Sequence, residues 1–110
     1  MSNALETMMH TVPQTILAQL GGNRFTAMTG AYSFAGSADT LSFRIPQSNK
    51  GRFGGVRITL TPADLYDVHF VRLTRDETGF LATETITHEG IFADGLSEII
   101  TEETGLATTL

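Results

Sequence analysis

Hydrophobic positions follow two different periods along the chain, and the changes between them mark out the elements. From residue 3 to residue 20, Leu5, Met8, Met9, Val12, Ile16 and Leu20 recur at helical spacing and form one apolar stripe. Asn3 followed by Glu6 fits a capping box. Pro13 lacks an N–H and its ring collides with the preceding turn. The stripe therefore predicts a helix kinked or broken at Pro13, with the proline near a new helical start. Gly21-Gly22 supplies a left-handed stop. Beyond it the period shortens to two. Leu41, Phe43 and Ile45 alternate with Ser42 and Arg44, and Val56, Ile58 and Leu60 alternate with Arg57 and Thr59. Residues 65–74 read as a further strand. A β-bulge is predicted there, where the inward set passes from Val68 and Phe70 to Val71 and Leu73. Residues 80–87 read as a last, threonine-rich strand and residues 25–29 as a first one, followed by a loop over 30–40. Helical spacing returns at Leu96, Ile99 and Ile100, with Asp94 as the predicted N-cap and Gly105 as the stop.

A run of strands between two helical segments, without β-α-β alternation, predicts an α+β fold. The expected architecture is an antiparallel β-meander of four or five strands, with the N-terminal and C-terminal helices packed on the sheet. At 110 residues, 41% hydrophobic and 17% charged, residues 1–110 read as a single domain with one core. There are no internal repeats.

Composition excludes several classes of chemistry. With no cysteine, the chain has no disulfide, thiolate zinc site, iron–sulfur cluster or cysteine nucleophile. The first ten residues have neither the basic nor the apolar region of a signal peptide, and no apolar run reaches the length of a membrane span. The expectation is a cytoplasmic protein with no membrane partner. The only lysine, Lys50, is followed by Gly51 and not by Ser or Thr, so there is no phosphate loop, and no Gly-x-Ser-x-Gly elbow occurs. Asp67 with His69 on one strand face, and His88 beside Glu89, are the nearest approach to an acid–base or metal pair. The signal is weak, and ordinary surface or strand histidines are the favoured reading. No catalytic residue, cofactor or metal site is assigned, and the reading is non-enzymatic.

Charge changes the picture more. The net charge of −5 is divided unevenly: residues 24–75 hold all seven basic residues against three acids, and residues 76–110 hold eight acids and no base. Two surfaces become candidates. The segment from Asn49 to Gly55, continuing to Arg57, combines cations, an aromatic ring and flexible glycines, the ingredients for gripping phosphates while stacking a base. The glycine-rich loop 47–57 is thus a candidate nucleic-acid site with Arg44, Lys50, Arg52, Phe53 and Arg57. Arg44 and Arg57 lie on the polar sides of their strands and join the loop in one patch if those strands pair. Alternatively, the loop is a long hairpin connection with Phe53 folded onto the core. The acidic C-terminal helix is the second candidate. Glu98, Glu102 and Glu103 make a surface for a protein partner, and the helix depends on packing or a basic neighbour because its acids repel and crowd the unfavourable end of the helix dipole.

Phe25-Thr26-Ala27-Met28-Thr29-Gly30-Ala31, Leu41-Ser42-Phe43-Arg44, Val56-Arg57-Ile58-Thr59-Leu60, Asp64-Leu65-Tyr66-Asp67-Val68, Glu103-Thr104-Gly105-Leu106 and Thr109-Leu110 together carry a resemblance. Over roughly residues 15–110 the chain resembles small uncharacterised proteins encoded by bacteriophages, prophages and other mobile elements. These motifs are strand cores and turns, and no catalytic residue comes with them. The resemblance implies a mobile-element protein in the cytoplasm of a bacterial host. It implies action through a host or phage protein, for example as an inhibitor of a defence system such as a CRISPR complex. A nucleic-acid-binding accessory role is the alternative, and self-association as a homodimer through an exposed edge strand is compatible with either.

Overall fold

The computed structural model describes residues 12–75 and 77–106. Helix α1 is described over Val12–Leu20, and α2 spans Asn23–Thr29. Five strands follow: β1 (Tyr32–Gly36), β2 (Thr40–Arg44), β3 (Gly55–Leu60), β4 (Tyr66–Arg75) and β5 (Leu81–Ile91). A 3₁₀ turn at Ala93–Gly95 leads into α3 (Leu96–Thr104). The strands form one antiparallel meander in the order β1-β2-β3-β4-β5. The α+β fold with helices before and after a meander is the one the sequence predicts. The predicted helix before Val12, including the capping box at Asn3 and Glu6, lies outside the described residues. Pro13 occupies the second position of α1 as described and is buried there.

Period two produces two unlike sheet faces. Register places Leu41, Ile58, Val68 and His88 in one row, and Phe43, Val56, Phe70 and Ile86 in the next. This face packs against Ile16 and Leu20 of α1, Phe25 of α2, and Leu96 and Ile100 of α3, all at most 1% exposed. Burying one such side chain contributes roughly 1.5–3 kcal/mol, so this layer outweighs the weak helix propensities. Phe25 meets Phe43 edge-on at 5.4 Å, and the Tyr66 hydroxyl donates to Gln19 Oε1 at 2.8 Å, tying β4 to α1. No described element covers the opposite face.

Four local expectations are corrected. Residues 25–29 are the helix α2 and not a strand: Phe25 and Thr29 are buried one turn apart, and Thr26 and Thr29 turn their hydroxyls back to carbonyls four residues earlier. Gly30, at φ 74°, caps α2 in the left-handed conformation. The first strand is β1, inside the predicted loop. The inward set of β4 does not switch, because pairing with β5 runs unbroken from Val68 to Arg75 and Val71 and Leu73 stay on the uncovered face. The bulge falls instead between Tyr66 and Val68, with the extra residue on β5 near Gly90 at φ 68°. Asp94 lies in the 3₁₀ turn and does not cap α3, whose N-cap position is Gly95 with no side-chain cap.

Candidate functional site

The loop between β2 and β3 is built around Asn49, which is 5% exposed. Its amide donates to the carbonyls of Pro46 and Phe53, both at 2.6 Å, and its Oδ1 accepts from the Phe53 N–H at 2.9 Å. These bonds turn Phe53 inward. The ring is 1% exposed and lies 5.3 Å from Phe70, so it cannot stack on a base, which corrects its place in the nucleic-acid site. Arg72, on the helix-covered side of β4, closes the end of this core. Its guanidinium lies 5.1 Å from the Phe53 ring centre, donates to Gly51 O at 2.9 Å and pairs with Glu84.

The other candidate cations are divided between the faces. Lys50 turns to the helix side: its N–H donates to Thr104 O at 2.8 Å, its Nζ to Glu102 O at 3.4 Å, and its stem packs on Gly105. It is the basic neighbour that α3 requires, placed where a helix dipole favours a cation. Arg44 and Arg57 project from paired strands onto the uncovered face, Arg57 opposite Ser42 and Arg44 opposite Gly55. Arg52 is exposed in the loop at φ 56°. The five residues therefore do not form one patch. Arg44 and Arg57 remain together, and Lys50 and Phe53 serve the fold.

The acidic candidates divide as well. Glu103 Oε2 lies 2.7 Å from His88 Nε2, linking α3 to β5, and the His88 ring meets Phe70 edge-on at 5.9 Å. Replacing Glu103 by alanine is expected to cost about 1 kcal/mol, since one partly exposed hydrogen bond is lost. Glu98→Ala, at an exposed position, should leave stability unchanged. Urea denaturation of both variants checks the contrast.

Glu98 and Glu102 rim a groove of about 240 Å³ where the end of β5 meets α3, with Ile91, Phe92, Ile99 and Asp94 also lining it. Phe92 is 69% exposed. Sequence reasoning missed Phe92, although an aromatic residue just beyond a strand and beside an acidic helix was a readable signal. A larger groove of about 650 Å³ between α1 and β1 opens beside Val12, at the boundary of the described residues, and no charged or titratable side chain lines it.

Asp67 and His69 do not converge on a common cleft: Asp67 Oδ1 accepts from Gly90 N–H at 3.2 Å, and His69 Nδ1 lies 3.0 Å from Thr87 Oγ1. Among the described residues no group of three His, Asp or Glu side chains is arranged to hold a metal ion, and no helix is long and apolar enough to cross a membrane. No family model matches the chain, and neither does any curated protein or solved structure.

Proposed function

We propose that the protein is a non-enzymatic binding protein that acts through a protein partner seated at the groove between β5 and α3. Phe92 carries this reading. A large aromatic side chain 69% exposed, at the mouth of an apolar groove, is the kind of anchor that interfaces bury. At about 240 Å³ the groove falls below the roughly 300–1,000 Å³ of small-ligand pockets and suits side chains of a protein surface. Asp94, Glu98 and Glu102 around it favour a basic partner segment. The resemblance to mobile-element proteins makes host or phage proteins the first to assay, with a defence complex such as a CRISPR complex among them.

The test is affinity capture from host lysate with the native chain, Phe92→Ser, and Glu98→Lys with Glu102→Lys. Light scattering alongside separates self-association through an exposed edge strand. A protein retained by the native chain and by an Arg44→Glu control, but lost at least tenfold by both groove variants, is the expected result. Retention indifferent to the groove variants would remove this surface from the reading.

A further inference from the structure

The uncovered sheet face has its own chemistry, independent of the groove. Register puts Ser42, Arg57, His69 and Thr87 in one row, and Tyr32, Arg44, Gly55, Val71 and Thr85 in the next. Arg44 and Arg57 are therefore diagonal neighbours on adjacent strands, both exposed. Among the described residues neither guanidinium has a hydrogen bond or an ion pair. Like charges set side by side on a sheet destabilise it, and an anion bridging them removes that cost. The acids that pair internally or gather at the groove, namely Glu84, Glu98, Glu102 and Glu103, belong to the helix-covered side. Arg44 and Arg57 thus stand on the face away from those acids, and Asp67, which register places diagonal to Arg57 on the same face, accepts from the Gly90 N–H at 3.2 Å.

The face also has a channel. Between Arg44 and Arg57 on one side and Thr85 on the other runs a groove of about 440 Å³, with Ser33, Ser42 and Gly55 along it. Gly55 forms its floor because there is no side chain there: a Cβ added at Gly55 would meet nothing closer than Phe43 O at 3.8 Å. Backbone is therefore reachable from solvent beside two guanidinia and a set of hydroxyls. Guanidinium forks suit phosphate oxygens, and serine and threonine hydroxyls supplement them.

We infer that this face binds the sugar–phosphate backbone of a single-stranded nucleic acid, laid along the Gly55 groove with consecutive phosphates on Arg44 and Arg57. Single strands are favoured over duplex because two arginines cannot offset the charge density of a duplex on a chain whose net charge is −5. Tyr32, 49% exposed at the end of the Arg44 row, offers a ring for a base. The inference goes beyond the protein-partner reading, and the two surfaces lie on opposite sides of the sheet.

Fluorescence anisotropy of labelled single-stranded DNA and RNA, with duplex DNA alongside, tests it on the full chain across a salt series. Saturable binding to a single strand is expected, with a log–log salt slope of about −1.4 for two phosphate contacts. Arg44→Glu with Arg57→Glu should lose at least tenfold. Gly55→Glu, at a strand position with space for a side chain, should lose as much by placing a carboxylate on the groove floor. Arg24→Glu, on α2, should bind as the native chain does, and so should Phe92→Ser, which keeps this result separate from that of the protein-partner reading. Circular dichroism confirms that each variant folds. No saturable binding at low salt overturns the inference. Binding indifferent to both sheet-face variants, or tighter binding to duplex than to a single strand, overturns it equally.

Discussion

Asn49→Ala is expected to destabilise the domain by about 3 kcal/mol, more than any single surface change. The side chain closes three hydrogen bonds to the backbone of its own loop. Its removal leaves the Phe53 N–H without its side-chain acceptor in a dry site and deprives two carbonyls of a donor. An unmet buried polar group costs about 1–3 kcal/mol, and the alanine leaves a cavity beside Phe53. In a domain of this size about 3 kcal/mol corresponds to a fall in melting temperature of roughly 10–20 °C. Thermal and urea denaturation, with Ser48→Ala as an exposed neighbouring control, give the comparison. A loss below about 1 kcal/mol would mean that burial of Phe53 alone holds the loop.

The role of Asn49 also shows where sequence patterns stop being informative. Strands β2, β3 and β4 were legible because each buries one face, and burial writes period two into the residues. β1 was not, since all five of its residues are exposed and Tyr-Ser-Phe-Ala-Gly carries no alternation. Helix α2 was missed for a related reason: it is one buried phenylalanine and one buried threonine long, too short for its period to register, and only Gly30 marked its end. In the candidate site, Arg44 and Arg57 could be read as strand-borne and polar-sided, and the pairing of β2 with β3 joins them. The direction of Phe53 could not be read. A phenylalanine between two cations and two glycines suits either a base or a core, and the choice was made by an asparagine four residues earlier, through bonds that have no sequence period. Likewise Lys50 and Glu103 looked like surface charges, yet Lys50 holds the loop to α3 and Glu103 links α3 to β5 through His88.

That junction gives the second large effect, at Gly51. A Cβ built there would lie 2.1 Å from the Phe53 ring and 2.7 Å from Glu103 O. Neither neighbour can yield cheaply. Phe53 is held between Phe70 and the Arg72 guanidinium, and Arg72 itself donates to Gly51 O. Glu103 O belongs to the last turn of α3, beside the Thr104 carbonyl that Lys50 N–H engages. Gly51→Ala must therefore push the loop off the helix, and overpacking of this kind costs about 1–3 kcal/mol before the lost bonds are counted. A total of about 3 kcal/mol is expected. Faster hydrogen exchange should appear at Lys50, whose N–H bonds to α3, and the 2.7 Å His88–Glu103 bond should loosen. Gly55→Ala, four residues on, is the matched comparison. Its Cβ would have only Phe43 O at 3.8 Å, and a strand position gains from the extra methyl, so its stability should be equal to or above that of the native chain. Equal denaturation midpoints for the two variants would show that the loop does not rest on α3 as closely as these distances require. A large gap between them would show that Gly51 is constrained by Phe53 and the helix behind it, whereas Gly55 has room for a side chain.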